Sequence, residues 1–267
     1  MPELPEVETV VRELKTLEGR EITQLRVGWQ KTVTPGVPVL RSSMLGCRIR
    51  TVSRRGKYIL LELENGDTVT VHLRMTGKLI FEPSEKDKNY VRLSLELDGR
   101  DWLYFVDVRK FGRFDLFRSG APVLPSLGPE PLEEKETTRV LLNLKSRREL
   151  KKILLDQKVL AGVGNIYADE ALFLAGLSPD LPGADLSSKE AKTLAKALSK
   201  VLNASIANMG TTLSDYRNTK NIGGENQNYL KVYGQTGQPC PRCATAISRK
   251  VIGGRSTHFC SKCQGFS

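Results

Sequence analysis

Apolar and polar residues alternate in short runs across residues 22–117, as in β-strands that bury one face. Asn65-Gly66 and Asp98-Gly99 separate two pairs of these runs, and such residues favour the tight turns of antiparallel hairpins. An antiparallel sandwich or barrel is therefore expected rather than a parallel sheet. The predicted strands cover residues 22–27, 48–52, 58–63, 68–73, 91–97, 102–106 and 113–117.

Helical spacing governs the residues that precede these strands. Leu4, Val7, Val11 and Leu14 recur every three to four positions within residues 2–17, and several Glu residues lie in the first turns. Carboxylates at that end of a helix suit the positive end of its dipole. The pattern predicts a leading helix.

The second half of the chain has a different pattern. Residues 119–131, rich in Pro, Gly and Ser, predict a linker, and helical spacing returns beyond them. Ser187 and Glu190 form a capping-box pattern before the longest helix. The Asn- and Gly-rich residues 214–229 predict a mobile loop, with a disordered connector as the alternative. Predicted helical segments cover residues 137–145, 149–157, 166–175 and 188–208.

These patterns predict an α+β, multidomain chain. A β-sandwich domain with its leading helix is expected at residues 1–118 and a linker at 119–132. A helical domain at 133–229 includes the loop 214–229, and a cysteine-bearing domain follows at 230–267.

Two C-x-x-C pairs, Cys240/Cys243 and Cys260/Cys263, are separated by 16 residues. Paired thiolates at this spacing close one tetrahedral zinc site. Two disulfides are the alternative, which a cytoplasmic protein disfavours. Because four sulfur ligands leave no position for water, the zinc is expected to be structural, and His258 is expected to pack beside it without binding it.

The charge balance points to a polyanionic partner. The 267 residues include 41 Lys and Arg, 30 Asp and Glu, and only two His, which gives a formal charge of +11. So few His argue against triads and His-rich metal catalysis. The excess favours nucleic acid as the partner, with ordinary solubility as the alternative.

Two basic segments carry most of this excess. The second basic segment, residues 217–267, holds eight Lys and Arg against one acidic residue, and the first basic segment, residues 41–57, holds six and no acid. Together they predict a groove that follows a phosphate backbone. A solvated surface is the alternative for either segment alone.

A glycine-rich turn, Gly162-Val-Gly-Asn165, precedes one of the predicted helices. Backbone N–H groups at a helix start, together with the Asn165 amide and nearby Lys151, predict a phosphate site. A turn that only reverses the chain is the alternative.

The N-terminus offers a further reactive group. If Met1 is removed, Pro2 presents an α-amine, which titrates near ~7.7–8 and so is partly neutral at physiological pH. Such an amine attacks a sugar carbon to form an iminium, and the adjacent Glu3 is able to move the proton. A proline that simply begins a helix is the alternative.

The N-terminus also bears on location. Its acidic residues stand where a secretory signal would be basic, and no apolar stretch reaches the roughly 18 residues that a membrane helix needs. A cytoplasmic protein without membrane partners is expected.

Six motifs, in order over essentially the full length, resemble those of bacterial formamidopyrimidine-DNA glycosylases. The PELPE start resembles this branch rather than the related endonuclease VIII branch. The motifs are PELPEVET at 2–9, RRGKY at 54–58, HLRMTG at 72–77, DVRKFGR at 107–113, DQKVLAGVGNIYADE at 156–170 and GRSTHFCSKCQ at 254–264.

The resemblance implies a bifunctional enzyme of base-excision repair. Such an enzyme removes oxidised purines, 8-oxoguanine and formamidopyrimidines, from double-stranded DNA and nicks the strand by β,δ-elimination. The fold implied is a β-sandwich, a helix-two-turn-helix domain and a zinc-finger hairpin with one structural Zn²⁺. Pro2 would be the nucleophile at C1′ and Glu3 the proton donor, Lys57 would act in β-elimination, and Arg255 would hold phosphate and act in δ-elimination.

The resemblance also implies DNA contacts. Met75, Arg109 and Phe111 match the residues that fill the void left by a flipped base, a base that must leave the duplex before it is cut. Tyr90 stands where many members have His. The implied contacts are Met75, Tyr90, Arg109, Phe111, Arg147, Lys151 and Asn165.

A monomer in the bacterial cytoplasm, associated with the nucleoid through DNA, is expected. Two alternatives remain at this point: an endonuclease VIII-like glycosylase for oxidised pyrimidines, and a zinc-ribbon DNA-binding protein without catalysis.

Overall fold

The chain divides into two units, and each consists of two separate stretches. The N-terminal unit comprises Met1–Pro125 and Asn208–Glu225, and the C-terminal unit comprises Ser126–Ala207 and Asn226–Ser267. This computed structural model describes residues 1–119, 124 and 126–265. Part of the predicted linker, residues 120–123 and 125, lies outside the described residues.

In the described part of the N-terminal unit, nine strands form two sheets, and they include all seven predicted strands. Asp98 and Gly99 both have positive φ, 51° and 67°, as the Asp-Gly hairpin predicts. The strands are β1 (Ile22–Val27), β2 (Val33–Thr34), β3 (Ile49–Arg55), β4 (Tyr58–Leu63), β5 (Thr68–His72), β6 (Lys78–Ile80), β7 (Val91–Leu97), β8 (Asp101–Val106) and β9 (Arg113–Phe117).

The two sheets enclose one core. One has the order β1-β7-β8-β6 and the other β2-β9-β5-β4-β3. Among the strand pairs of the described residues, β2–β9 is parallel and the others are antiparallel. Side chains of both sheets pack in one buried cluster with the leading helix, α1 (Leu4–Leu14). The antiparallel sandwich is therefore confirmed.

Two further helices of this unit, α2 (Val37–Met44) and α3 (Glu85–Lys88), were not among the predicted elements. Asn208–Glu225, here called the return segment, joins the same unit after the chain has passed through the helical region. Its hydrogen bonds to Glu6 and Glu13 attach it to α1.

The C-terminal unit contains four helices and a hairpin in its described part. Glu190 and Ser187 form the predicted capping box, with the Glu190 N–H donating to Ser187 Oγ over 3.3 Å. None of the helices in the described ranges is both long and apolar enough to cross a bilayer. The elements are α4 (Glu134–Leu142), α5 (Leu150–Leu155), α6 (Asn165–Ala175), α7 (Ser188–Ala207), β10 (Ser248–Ile252) and β11 (Arg255–Phe259).

Candidate functional site

Pro2 and Glu3 lie buried at the start of α1. Glu3 occupies the N-cap position, and its N–H donates to Glu6 Oε2 over 2.8 Å. Because this bond satisfies a backbone donor that a helix start leaves open, Glu6 fixes the direction in which the chain enters α1. The predicted nucleophile and proton donor are thus held by the helix and its side chains.

An open cavity of about 540 Å³ lies beside this N-terminus. Met1 lines it and is 54% exposed. Since Met1 is joined to the Pro2 nitrogen, its removal would place the Pro2 amine at the edge of this cavity. The lining contains three cations and no acid, which suits an anionic ligand such as DNA phosphate. The lining residues are Met1, Arg74, Met75, Lys110, Phe111 and Arg113.

Met75 lies in the loop between β5 and β6, and Arg109 and Phe111 lie in the loop between β8 and β9. The three side chains are close together. Arg109 Nη1 lies 3.0 Å from Met75 Sδ, and its guanidinium carbon lies 4.8 Å from the Phe111 ring centroid. Met75 and Phe111 are 42% and 49% exposed. Exposed, large apolar side chains next to a cation are the kind of side chain that inserts between stacked bases.

One buried carboxylate holds both loops. Asp107 is fully buried and accepts the N–H of Gly112 at 2.7 Å, the N–H of Arg109 at 3.2 Å and the Thr76 hydroxyl. Gly112 is required by packing, because a Cβ there would lie 2.2 Å from Phe105 Cζ. The exposed residues are therefore mounted on a rigid base.

Lys57 is buried between β3 and β4, near a histidine that the sequence reasoning did not select. His72 stacks edge-on against Tyr58 at 4.6 Å, and its Nδ1 accepts the Arg74 N–H at 3.0 Å. Burial, followed by the charges of Arg74 and Lys57, lowers the pKa of His72 to about 3. His72 is thus a neutral support; the only signal for it in the sequence was its place in the HLRMTG motif.

Tyr90 is exposed directly before β7. Its carbonyl accepts the Asp107 N–H at 2.9 Å, and the Arg92 guanidinium carbon lies 5.7 Å from its ring centroid. Tyr90 therefore adjoins the loop that carries Arg109 and Phe111.

Much of the first basic segment is paired with carboxylates. Arg48 contacts Glu21 at 3.3 Å, Arg50 contacts Glu62 at 3.0 Å, and Arg54 contacts Glu8 at 2.8 Å. These acids come from other parts of the N-terminal unit, so the pairing is absent from the local sequence.

In the C-terminal unit, the sulfur atoms of Cys240, Cys243, Cys260 and Cys263 all lie within 4.8 Å of one another. The Cys243–Cys260 and Cys240–Cys263 sulfur distances are 3.4 and 3.8 Å, too long for disulfides. Four ligands at a Zn–S distance of ~2.3 Å stand ~3.8 Å apart in a tetrahedron. The donor set fits one structural zinc.

Lys151, predicted to contact phosphate, is fully buried in an ion pair with Asp169. Its Nζ also donates to the Asn165 carbonyl at 2.9 Å. The other Asp169 oxygen accepts the His258 N–H at 2.9 Å and lies 3.1 Å from His258 Nδ1. His258 therefore packs on α6, and Lys151 ties α5 to the start of α6 and to β11.

Arg255 and Asn165 both lie near the start of β11. Arg255 is exposed at the first position of β11, after two glycines with positive φ. The Asn165 amide donates to the Ser256 carbonyl at 2.9 Å, so the glycine-rich turn is joined to the hairpin next to Arg255. Arg147 is exposed, with Asp185 at 3.9 Å.

Three family models match successive parts of the chain. The formamidopyrimidine-DNA glycosylase N-terminal domain matches residues 1–114, and the formamidopyrimidine-DNA glycosylase H2TH domain matches residues 127–217. The zinc finger found in FPG and IleRS matches residues 237–265.

Known proteins resemble the chain over its length. A formamidopyrimidine-DNA glycosylase of Herpetosiphon aurantiacus is 47% identical, with 99% of this chain and 100% of the relative covered. The MutM (FPG) structure of Thermus thermophilus has a TM-score of 0.87 at 42% identity and covers 100% of both chains. A Lactococcus lactis FPG mutant in complex with DNA containing Fapy-dG has a TM-score of 0.88 at 36% identity and covers 98% of this chain and 99% of that one.

Proposed function

The chain belongs to the formamidopyrimidine-DNA glycosylase family and is a DNA glycosylase of base-excision repair, and we propose that Pro2 is its nucleophile. The observation that carries this proposal is the position of Met1, which lines the cationic cavity beside Met75 and Phe111. Once Met1 is removed, the Pro2 amine lies where a flipped nucleotide is able to reach it.

The reaction follows from the groups at this end of α1. The Pro2 nitrogen attacks C1′ and loses its proton, the N-glycosidic bond breaks, and the base leaves with a proton. The C1′–O4′ bond then breaks, O4′ takes a proton, and an iminium links Pro2 to the opened sugar. Glu3 donates and accepts protons in base release and ring opening. Lys57 assists loss of the 3′ phosphate, and Arg255 holds phosphate during loss of the 5′ phosphate.

DNA recognition is divided among side chains of both units. Met75 and Phe111 enter the stack, and Arg109 faces the base left without its partner, which offsets part of an unstacking cost of a few kcal/mol. Tyr90, Arg147 and Asn165 contact the DNA backbone. Because Lys151 is fully buried against Asp169, it acts on phosphate binding by positioning Asn165.

The substrates proposed are 8-oxoguanine and formamidopyrimidines in duplex DNA, cut by a monomer in the bacterial cytoplasm. Relatives named for this activity and a neighbour bound to DNA containing Fapy-dG support the choice of oxidised purines. A zinc-ribbon protein without catalysis is excluded, because the family models extend over residues 1–114 as well as over the finger.

Borohydride reduction tests the nucleophile. Protein from which Met1 has been removed, mixed with a duplex containing 8-oxoguanine opposite cytosine, should form a covalent complex that peptide mapping assigns to Pro2. The matched control is the same protein with its α-amine acetylated, which should give no complex. A complex mapped to Lys57, or no complex with processed protein, would overturn the proposal. Faster cutting of thymine glycol than of 8-oxoguanine would instead favour the endonuclease VIII-like preference.

A further inference from the structure

Helix α1 holds the return segment at two points. Near its start, Glu6 Oε1 accepts the Thr211 N–H at 2.7 Å. Near its end, Glu13 Oε1 accepts the Asn218 side-chain amide at 2.9 Å. Residues 6 and 13 lie about two turns apart, roughly 10.5 Å along the helix axis. One rigid element therefore carries Pro2 and Glu3 and also fixes the return segment.

The second point of attachment is built around the Glu13 carboxylate. Glu13 Oε2 accepts both the N–H of Thr219 at 2.8 Å and its hydroxyl at 2.7 Å. Asn218 and Thr219 are 3% and 1% exposed. An ionised carboxylate only accepts hydrogen bonds, and all three groups that contact Glu13 here are donors. Hydrogen bonds to an ionised acceptor are stronger than those between neutral groups.

These contacts form the base of a tight turn. Asn218 Oδ1 accepts the N–H groups of Lys220 and Ile222 at 3.1 and 2.9 Å, and the Asn218 N–H donates to the Ile222 carbonyl at 2.8 Å. Both polar atoms of the Asn218 side chain thus make hydrogen bonds within the N-terminal unit. Ile222, whose backbone closes the turn, has a side chain that is 54% exposed.

We propose that Glu13 is a positioning residue for base excision, which sets the turn 218–222 in register with Pro2 and Glu3. The proposal rests on the proposed function, in which a flipped base must be held while Pro2 attacks. We place the turn 218–222 among the groups that hold this base. Glu13 touches no reacting atom. Because nicking of a preformed abasic site has no base to hold, Glu13 should matter for base excision and not for that nicking step.

The test exchanges the hydrogen-bond partners. In Glu13→Gln the new amide NH₂ faces the Asn218 NH₂, so one hydrogen bond is replaced by two opposed donors. In Asn218→Asp two carboxylates face each other. In the double variant Glu13→Gln/Asn218→Asp, the introduced amide donates to the introduced carboxylate, which retains a second oxygen as the acceptor for the turn. The matched control is Glu21→Gln, which removes a surface carboxylate beside Arg48.

Single-turnover excision of 8-oxoguanine should fall at least tenfold in each single variant and return to within about threefold of wild type in the double variant. Nicking of a preformed abasic site should stay within about twofold throughout. Backbone hydrogen exchange of residues 218–222 should quicken in the single variants only, and Glu21→Gln should behave as wild type.

Equal losses of excision and nicking, unchanged exchange in Glu13→Gln, or no recovery in the double variant would each overturn the positioning role. A wild-type protein that excises no oxidised base would overturn the proposed function instead, and the exchange pattern would then decide whether Glu13 orders the turn.

Discussion

The two basic segments differ in what their cations contact. In the first basic segment, Arg48, Arg50 and Arg54 each meet a carboxylate at 2.8–3.3 Å. In the second, Arg242 donates to the carbonyls of Phe173 and Leu174, and Arg249 donates to the Ser256 hydroxyl. Within the described residues, these two arginines have neutral partners. The number of positive charges in a segment therefore does not measure the charge it offers to DNA.

The difference follows from how each region is built. The fold of the N-terminal unit brings acids from distant positions beside the first basic segment, Glu8 from α1 and Glu62 from β4. Opposite charges paired across neighbouring strands, as in Arg50 and Glu62, stabilise a sheet. The small hairpin of β10 and β11 consists of two strands and depends on its four cysteines for its shape. Arg255 lies exposed at the first position of β11.

Zinc removal should give the largest difference between the two regions, because it should unfold the second and leave the first folded. Metal binding supplies about 10–16 kcal/mol in isolated zinc fingers, so a chelator should unfold residues 237–265 and abolish DNA cutting although the metal does no chemistry. Hydrogen exchange should show lost protection in β10 and β11 and retained protection in β4 and β5. Cys47→Ser, outside the cluster, should keep its zinc and activity. Cutting that survives verified metal loss would contradict this.

The buried ion pair of the C-terminal unit should be worth far more than the surface pairs of the first basic segment. Asp169→Asn leaves Lys151 buried without its counter-charge, which should cost about 3–5 kcal/mol of unfolding free energy. Glu62→Gln removes the partner of Arg50, whose side chain is 58% exposed, and should cost at most about 1 kcal/mol. Urea unfolding measures both. Similar costs would show that burial does not set the difference.

His72 differs from the exposed groups of this unit, because burial, followed by the charges of Arg74 and Lys57, lowers its pKa to about 3. Below about pH 6.5 the unfolded chain binds a proton at His72, whereas the folded chain does not until about pH 3. Stability should therefore fall by up to about 1.4 kcal/mol per pH unit as pH drops through this window. His72→Asn keeps an acceptor for the Arg74 N–H but does not titrate, so it should flatten the profile. An unchanged slope would show that His72 already binds a proton in the folded state.

The smallest effect concerns single phosphate contacts. Arg255→Ala should reduce the dependence of log K on log salt by about one phosphate contact. Arg50→Ala, which removes an arginine already paired with Glu62, should leave the slope unchanged. Equal changes in slope would remove the distinction between paired and available cations.

The sequence predicted the elements whose signals are local. Turn residues defined the longer strands, and the cysteine spacing defined the zinc site. Strand β2 has two residues and β6 three, too few for an alternating pattern. Helix α2 had a usable signal, Pro38 in its first turn with Leu40 and Met44 one turn apart on its buried face.

Hydrogen bonds and ion pairs between residues distant along the chain could not be predicted from the sequence. The loop predicted as mobile makes hydrogen bonds through Asn218 to Glu13 and through Asn221 to Asp87, partners 205 and 134 residues away. The Lys151–Asp169 pair likewise needs α5 and α6 in contact before it appears. Periodicity and motif spacing describe neighbours along a chain, whereas these contacts depend on tertiary packing.

The division of the N-terminal unit into two stretches has a consequence for synthesis. Glu6 and Glu13 emerge from the ribosome within the first helix, but Thr211 and Thr219 follow about two hundred residues later. At about 5–20 residues per second, α1 waits at least roughly ten seconds for these partners. The sheets have time to form in this interval, but the contacts that hold the return segment to α1 form only after most of the second unit has been made.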